Sequence, residues 1–380
     1  MRKLPIALMV LGHTVVDTTQ NILPVFLPLL QDLFGLNYFQ VGVAAALLNL
    51  SSSMVQPAFG WVSDRRHTLW LIPAGIAWTG VFIGMLGLVP NYAVLLAVVV
   101  LTGIGTAAFH PIASIAVAQA SRSQRGLAMS FFSAGGNLGF ALGPIVATWL
   151  LAWFDLRGSV VMVVPCVLMA AAVVAWRGEF AAPVKAAVQP ETHEDPGFPW
   201  GKLITLCALV TLRSWGYSGL IIFLPLLLHE EGVPLALAAR ALFVFLFFGA
   251  LGGLLGGHLS DRFGRRQVIA VSLLSFPFLM AAGLLLAGPV RWPVLALAGM
   301  TLLASFAVTV VFAQELLPQH LGLASGLMLG LSFGTGGLGV GLSGLLADLL
   351  GLRESVWILV MVPGLAGLLA LALSPPRRGV

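Results

Sequence analysis

The sequence predicts an all-α integral membrane protein of twelve transmembrane helices, arranged as two pseudo-symmetric six-helix halves. Three observations predict it. First, of 380 residues 59% are hydrophobic and 9% charged, with a mean hydropathy of +1.01, whereas soluble domains carry about 25% charged residues. Second, the apolar residues fall in repeated blocks of about 20 or more, enough to cross a hydrocarbon core of ~30 Å as helix. Third, fragments of the first half recur in the second at a nearly constant offset. Lipid offers the backbone no hydrogen bonds, so helices are the default solution. The short alternating segments of a transmembrane β-barrel are absent.

Taken in order, the first six spans run roughly 5–31, 38–62, 68–88, 91–120, 126–153 and 157–177. The second six run roughly 200–228, 235–259, 267–287, 292–315, 322–350 and 353–373. The organisation is therefore a half at 1–177, a linker at 178–199 and a half at 200–380. The linker contains AAPVKAAVQPETHEDPGFP, the one long polar segment of the chain. Arg2 and Lys3 precede the first apolar stretch as in a signal peptide. That stretch is too long, carries His13 and Asp17, and lacks a small-residue cleavage site, so it reads as the first span.

The repeat is explicit. Phe26-Leu27-Pro28-Leu29-Leu30 recurs as Phe223-Leu224-Pro225-Leu226-Leu227, and GWVSDR from Gly60 recurs as GHLSDR from Gly257, both at an offset of 197. Leu156-Arg157-Gly158-Ser159-Val160 recurs as Leu352-Arg353-Glu354-Ser355-Val356 at 196. Parallel repeats of this kind place a binding site near the midplane, with access alternating as the halves rock.

Charge gives orientation. With both ends cytoplasmic, the inner loops and tails hold Arg2, Lys3, Arg65, Arg66, Arg122, Arg125, Arg177, Lys185, Lys202, Arg262, Arg265, Arg266, Arg377 and Arg378. The outer side holds Arg157, Arg240, Arg291 and Arg353, and Arg213 lies inside a helix. That asymmetry follows the positive-inside rule. It also accounts for the net charge of +5 without nucleic acid as a partner. Cys166 and Cys207 lie in apolar blocks and read as small hydrophobes.

Gly257-His258-Leu259-Ser260-Asp261-Arg262-Phe263-Gly264-Arg265-Arg266 resembles the loop signature of the major facilitator superfamily, between helices 8 and 9. The first-half copy keeps Gly60, Asp64 and Arg65 but loses the later glycine. More narrowly, Gly12–Pro28, Gly103–Ala113 and Arg125–Pro144 resemble the fosmidomycin-resistance subfamily of efflux carriers. The resemblance implies the major facilitator fold and a solute carrier in a prokaryotic-type inner membrane. It departs in one respect. Many drug antiporters of the superfamily carry an arginine before the Gly-x-Gly of helix 4, where this chain reads Val98-Val99-Val100-Leu101-Thr102.

The candidate site residues follow from where polarity enters lipid. His13 and Asp17 lie one turn apart on helix 1, and Gln20 and Asn21 continue that face. Intramembrane charge is expensive and is functional by default, so Asp17 and His13 are read as a proton-coupling pair, the bland alternative being a helix brace. His110, before Pro111 in helix 4, joins them on the strength of the resemblance. Asn49 and Gln56, on helix 2, are candidate substrate contacts with Gln20 and Asn21. Asn49-Leu50-Ser51 matches a glycosylation acceptor but falls inside a span.

Arg213 is expected near mid-membrane, holding Asp17 when the site is empty and an anionic substrate group when loaded. The guanidinium fork suits phosphonate or carboxylate. Gly60, Asp64, Arg65, Gly257, Asp261, Arg262, Gly264 and Arg265 form an expected conformational latch. Gly135, Gly139 and Gly143, followed by Pro144, form a packing stripe on helix 5, and the resemblance of this run to a motif of antiporters favours export. Helix 11 carries a similar run, Gly330, Gly334, Gly337 and Gly341. The seven histidines are scattered without ligand spacing, so no metal is expected.

These readings converge on a proton-coupled antiporter exporting a small toxic or anionic compound. Its partners are protons, the solute and the bilayer. It works as a monomer, with the proton gradient in place of a cofactor. The alternative is a proton-coupled importer of a small metabolite. An enzyme is excluded by the lack of an HExxH pair or a GxSxG elbow. The only Gly-Lys pair, Gly201-Lys202, is followed by leucine and makes no phosphate loop. The charge asymmetry predicts that reporters fused to either terminus or placed in 178–199 read cytoplasmic, and a periplasmic signal from any of them reverses the topology.

Overall fold

A computed structural model describes residues 2–65, 68–121, 125–180, 200–286, 288–317 and 321–373. Of the expected linker 178–199, residues 181–199 lie outside the described residues. Among those described, regular structure is entirely helical. The order is α1 (Lys3–Gln20), α2 (Leu23–Phe34), α3 (Tyr38–Met54), α4 (Gln56–Arg65), α5 (Leu71–Gly84), α6 (Tyr92–Ser121), α7 (Arg125–Phe154) and α8 (Val163–Ala175) in the first part of the chain. It continues with α9 (Trp200–Glu230), α10 (Leu235–Phe263), α11 (Arg265–Leu285), α12 (Arg291–Leu316), α13 (Leu321–Leu350) and α14 (Leu352–Ala372).

Each of the twelve expected segments falls on helix, yet by length and composition 10 described helices qualify as membrane spans. The difference has two causes. The first segment is divided: α1 ends at Gln20 and α2 begins at Leu23, so neither piece forms one long apolar run. Pro24 just inside α2 suits this restart, because proline lacks the N–H that a helix start leaves unpaired anyway. The fifth and sixth segments run together as one apolar stretch, Phe131–Ala175, because 3₁₀ geometry over Asp155–Met162 joins α7 to α8 without a break. The second segment also bends, α3 giving way to α4 at Val55 ahead of Pro57, within one span.

The chain forms two compact units, one of residues 1–186 with 228–243, the other of 187–227 with 244–380. In the first, α1 packs along α7, and α5 packs on α6 and α8. The α1–α7 contact explains the glycine stripe. A Cβ at Gly135 would come within 2.7 Å of the Val10 carbonyl oxygen, one at Gly139 within 2.5 Å of that of Thr14, and one at Gly143 within 2.7 Å of Asn21. Thr14 donates its hydroxyl to the Gly135 carbonyl at 2.9 Å, stitching the two backbones. Small residues permit such approach where lipid supplies no hydrophobic drive between helices.

In the second unit two glycines of the expected run do not pack, and two outside it do. Gly330 and Gly334 face open space, while Gly336 sits against Ser218 and Gly339 against Trp215 of α9. Trp215 donates its indole N–H to Ser343 of α13 at 2.8 Å, fixing the same pair of helices.

Replacing Gly139 by alanine should lower the thermal unfolding midpoint, since overpacking costs about 1–3 kcal/mol. Gly334→Ala, with nothing to strike, should leave the midpoint unchanged or raise it. Equal effects in a detergent thermal melt would show that the α1–α7 approach does not depend on the glycines.

Candidate functional site

The first unit gathers two histidines around one carboxylate. His13 and Asp17 project one turn apart from α1, and His110 comes from α6, immediately before Pro111. His13 Nε2 lies 3.2 Å from Asp17 Oδ2, and His110 Nε2 lies 3.2 Å from Asp17 Oδ1. Asp17 is 3% exposed. The walls are aromatic: the His13 ring lies 4.1 Å from that of Phe132 and 4.8 Å from that of His110, and Phe109 stands 5.4 Å from His110. Apolar walls keep water away and strengthen the charge interactions inside.

The outer nitrogens decide what the trio can do. His13 Nδ1 lies 2.8 Å from the Phe132 carbonyl oxygen and His110 Nδ1 lies 3.0 Å from that of Thr106. A carbonyl only accepts, so each Nδ1 carries the hydrogen it donates. Each Nε2 then faces a carboxylate oxygen. Without a proton in that gap, a nitrogen lone pair opposes an anion. The carboxylate therefore has a place for a proton on each side, two in all. Sequence spacing scattered the histidines, and folding brings two of them onto Asp17, with the ligating atoms of all three within 4.8 Å of one another. The ground on which a metal was discounted, absence of ligand spacing, therefore does not survive folding.

A further residue holds this geometry and was not singled out from sequence. A Cβ on Gly136 of α7 would lie 2.4 Å from His13 Nε2 and 2.9 Å from Asp17 Oδ2. Gly136 breaks the i+4 spacing of its neighbours Gly135 and Gly139, which is why the stripe concealed it.

The expected substrate contacts of the first unit separate into two kinds. Gln20 is buried, and its side-chain oxygen is a buried polar atom without a hydrogen-bond partner among the described residues. Such atoms are rare and call for an explanation. Asn21 instead donates its amide to the Phe140 carbonyl of α7, bracing the gap between α1 and α2. Gln56 donates to the Ser52 carbonyl of the preceding turn at 2.7 Å. Asn49 is half-buried, and its carbonyl accepts the hydroxyls of Ser52 and Ser53.

In the second unit Arg213 of α9 is 1% exposed. Its Nη1 donates to Thr309 of α12 at 3.1 Å and its Nη2 to Ser332 of α13 at 2.9 Å. The guanidinium carbon stands 4.8 Å above the ring of Phe306. Within its own unit Arg213 is held by two hydroxyls and a ring, and within its own unit Asp17 is held by two histidines.

Of the loop residues, the side chains of Asp64 and Arg65 lie outside the described residues, and a Cβ on Gly60 or Gly257 would meet nothing. The second copy is fully described there. Gly264, at φ 96°, separates α10 from α11 in a conformation side chains resist. Across that turn Arg265 pairs with Asp261, donates to Ser260 at 2.6 Å, and reaches Glu315 of α12 at 3.1 Å. Arg262 lies over the ring of its own neighbour Phe263. Glu315, whose place at the end of its helix reads as interfacial, is therefore a member of this cluster.

Membrane-crossing helices, an internal repeat and ionisable groups sequestered midway along helices belong together in one class of protein, the membrane transporter. The chain belongs to the Major Facilitator Superfamily, whose sequence profile matches residues 9–333 and again 206–380. It is 31% identical to the fosmidomycin resistance protein of Escherichia coli K12 over 97% of this chain and 92% of that protein. It is 36% identical to the MFS-type transporter YfnC of Bacillus subtilis strain 168, over 96% of this chain and 91% of that one. The likeness to the fosmidomycin-resistance carrier thus extends beyond the first-half motifs that pointed to it. Among solved structures, a bacterial homolog of the human lysosomal transporter Spinster superimposes with a TM-score of 0.83 at 18% identity, covering 98% of this chain and 96% of that one. The protein is a multi-pass membrane transporter and not an enzyme.

Gly136→Ala should leave expression near normal, since the atoms its methyl strikes are side-chain ends. It should alter the pH profile of transport by displacing the His13 ring from Asp17. A wild-type profile in this variant would show that the trio tolerates a side chain there.

Proposed function

We propose that this transporter is a proton-coupled antiporter that exports a small toxic compound of the fosmidomycin type by alternating access. The single observation that carries this reading is the buried His13–Asp17–His110 trio. A carboxylate clamped between two imidazoles, each anchored by its other nitrogen, is suited to storing protons. When the trio opens to the outside it loads protons, and when it opens to the cytoplasm it releases them. The trio's two proton places suit a carrier that takes up to two protons for each solute. Gln20, one turn on from Asp17, offers its free amide oxygen to a donor group of the solute. The proton gradient supplies the energy, without a cofactor. Both termini face the cytoplasm, and the protein works as a monomer. The Asp261–Arg265–Glu315 cluster and its first-half counterpart around Asp64 and Arg65 serve as the cytoplasmic latch.

Purified protein in proteoliposomes with an imposed pH gradient tests this, with fosmidomycin as the solute. Wild type should drive the drug against the proton flow. Asp17→Asn keeps the size of the side chain but cannot carry charge, so gradient-driven accumulation should vanish while binding survives. His110→Gln leaves one imidazole and should lower the protons moved per solute. A full gradient built by Asp17→Asn removes this residue from the coupling. Accumulation in the same direction as the protons shows an importer in place of the antiporter.

A further inference from the structure

Among the described residues of the second unit, Arg213 is a buried charge that no ion pair balances. The chain's described ion pairs join Asp17 to His13 and His110, Asp32 to His229, and Arg265 to Asp261 and Glu315. Arg213 is in none of them, although it is among the largest fully buried side chains of the protein. It lies thirteen residues into α9, about 20 Å along the helix at 1.5 Å per residue, far from either end. A long side chain near a helix end can reach the interface, but one at mid-helix cannot.

What holds it is neutral and replaceable. Thr309 spends its own hydroxyl hydrogen on the Phe306 carbonyl at 2.8 Å, and Ser332 spends its hydrogen on the Met328 carbonyl at 2.8 Å. Both hydroxyl oxygens are thereby fixed as acceptors turned to the guanidinium. They satisfy hydrogen-bond geometry at the two terminal nitrogens, and Phe306 adds its π-face. None of the three brings negative charge. A purely structural arginine at this depth would be neutralised by an acid, because a buried charge without a counter-charge is costly. The arginine's supports are rigid: Trp215 ties α9 to α13 one turn-half further on, and Gly216 packs against Pro363 of α14.

We propose that Arg213, Thr309 and Ser332 form an oxyanion subsite that takes the carboxylate or phosphonate group of the transported compound. This rests on reading the chain as a carrier, and it names the class of solute. Two oxygens of such a group replace the two hydroxyls on Nη1 and Nη2. Charge-assisted bonds are roughly twice as strong as neutral ones, and the fork grips both oxygens at once. In the empty carrier the hydroxyls keep the guanidinium in place for the next anion. Phe306 remains beneath the pair and limits how far it can turn.

The test is equilibrium binding to the full-length protein in nanodiscs, at one fixed pH and without a gradient. The probes are fosmidomycin, 3-phenylpropionate and the uncharged analogue 3-phenylpropanol. Wild type should bind at least one of the two anions, and should bind 3-phenylpropionate more tightly than the alcohol. Arg213→Lys keeps the charge but loses the fork, and should weaken anion binding by about tenfold or more. Ser332→Asp supplies a built-in carboxylate to the guanidinium, and should abolish anion binding while raising the thermal midpoint. The second variant keeps the test decisive if the first fails to fold. Anion binding unchanged in Ser332→Asp, or in a folded Arg213→Lys, overturns the proposal, as does a wild type that binds neither anion. Because no gradient is present, a protein that shows the subsite yet moves nothing under a pH gradient sinks the antiport reading alone.

Discussion

A bilayer interior offers polar atoms nothing to bond with, and the polar chemistry of this protein is organised by that constraint. Each ionisable group within the spans must find its partners within the protein. Asp17 finds two histidines, the histidines find two backbone carbonyls, and Arg213 finds two hydroxyls and a ring. His13 and the Thr106 carbonyl serve groups on their own helices, but His110, the Phe132 carbonyl, Thr309, Ser332 and Phe306 come from helices distant in sequence. The helices must therefore approach closely enough to share side chains without water between them.

Glycine makes that approach possible. Along α7 the absence of a Cβ at Gly135, Gly139 and Gly143 lets backbone meet backbone, and its absence at Gly136 leaves room for the His13–Asp17 contact itself. Packing and chemistry are thus the same feature at this contact. The α1–α7 approach positions the trio, and the Phe132 carbonyl of α7 sets which nitrogen of His13 faces the carboxylate.

The two units treat charge differently. The first balances a carboxylate against two bases that can each gain or lose a proton. Among the described residues, the second holds a permanent cation with two hydroxyls and a ring. Arginine does not lose its proton under ordinary conditions, so it suits a fixed attraction for an anion, whereas histidine and aspartate suit exchange. A carrier that moves protons one way and an anionic solute the other needs both kinds of group.

The sequence by itself determined the class. Long apolar blocks, sparse charge, basic loops and repeats offset by about 197 residues dictate a duplicated helical membrane protein, because each reflects a local cost of placing that residue in lipid. His13 and Asp17 were legible for the same reason, since helical periodicity puts them on one face. Only the tertiary structure decided the partners. Nothing in the spacing shows that His110 closes on Asp17, that Gly136 rather than its neighbours touches the trio, or that Gly336 and Gly339 pack while Gly330 and Gly334 do not. The pairing of Arg213 with Thr309 and Ser332 is likewise a matter of helix rotation. A periodic pattern fixes which residues share a face of one helix, but the helix each face meets, and at what height, is set by how whole helices pack.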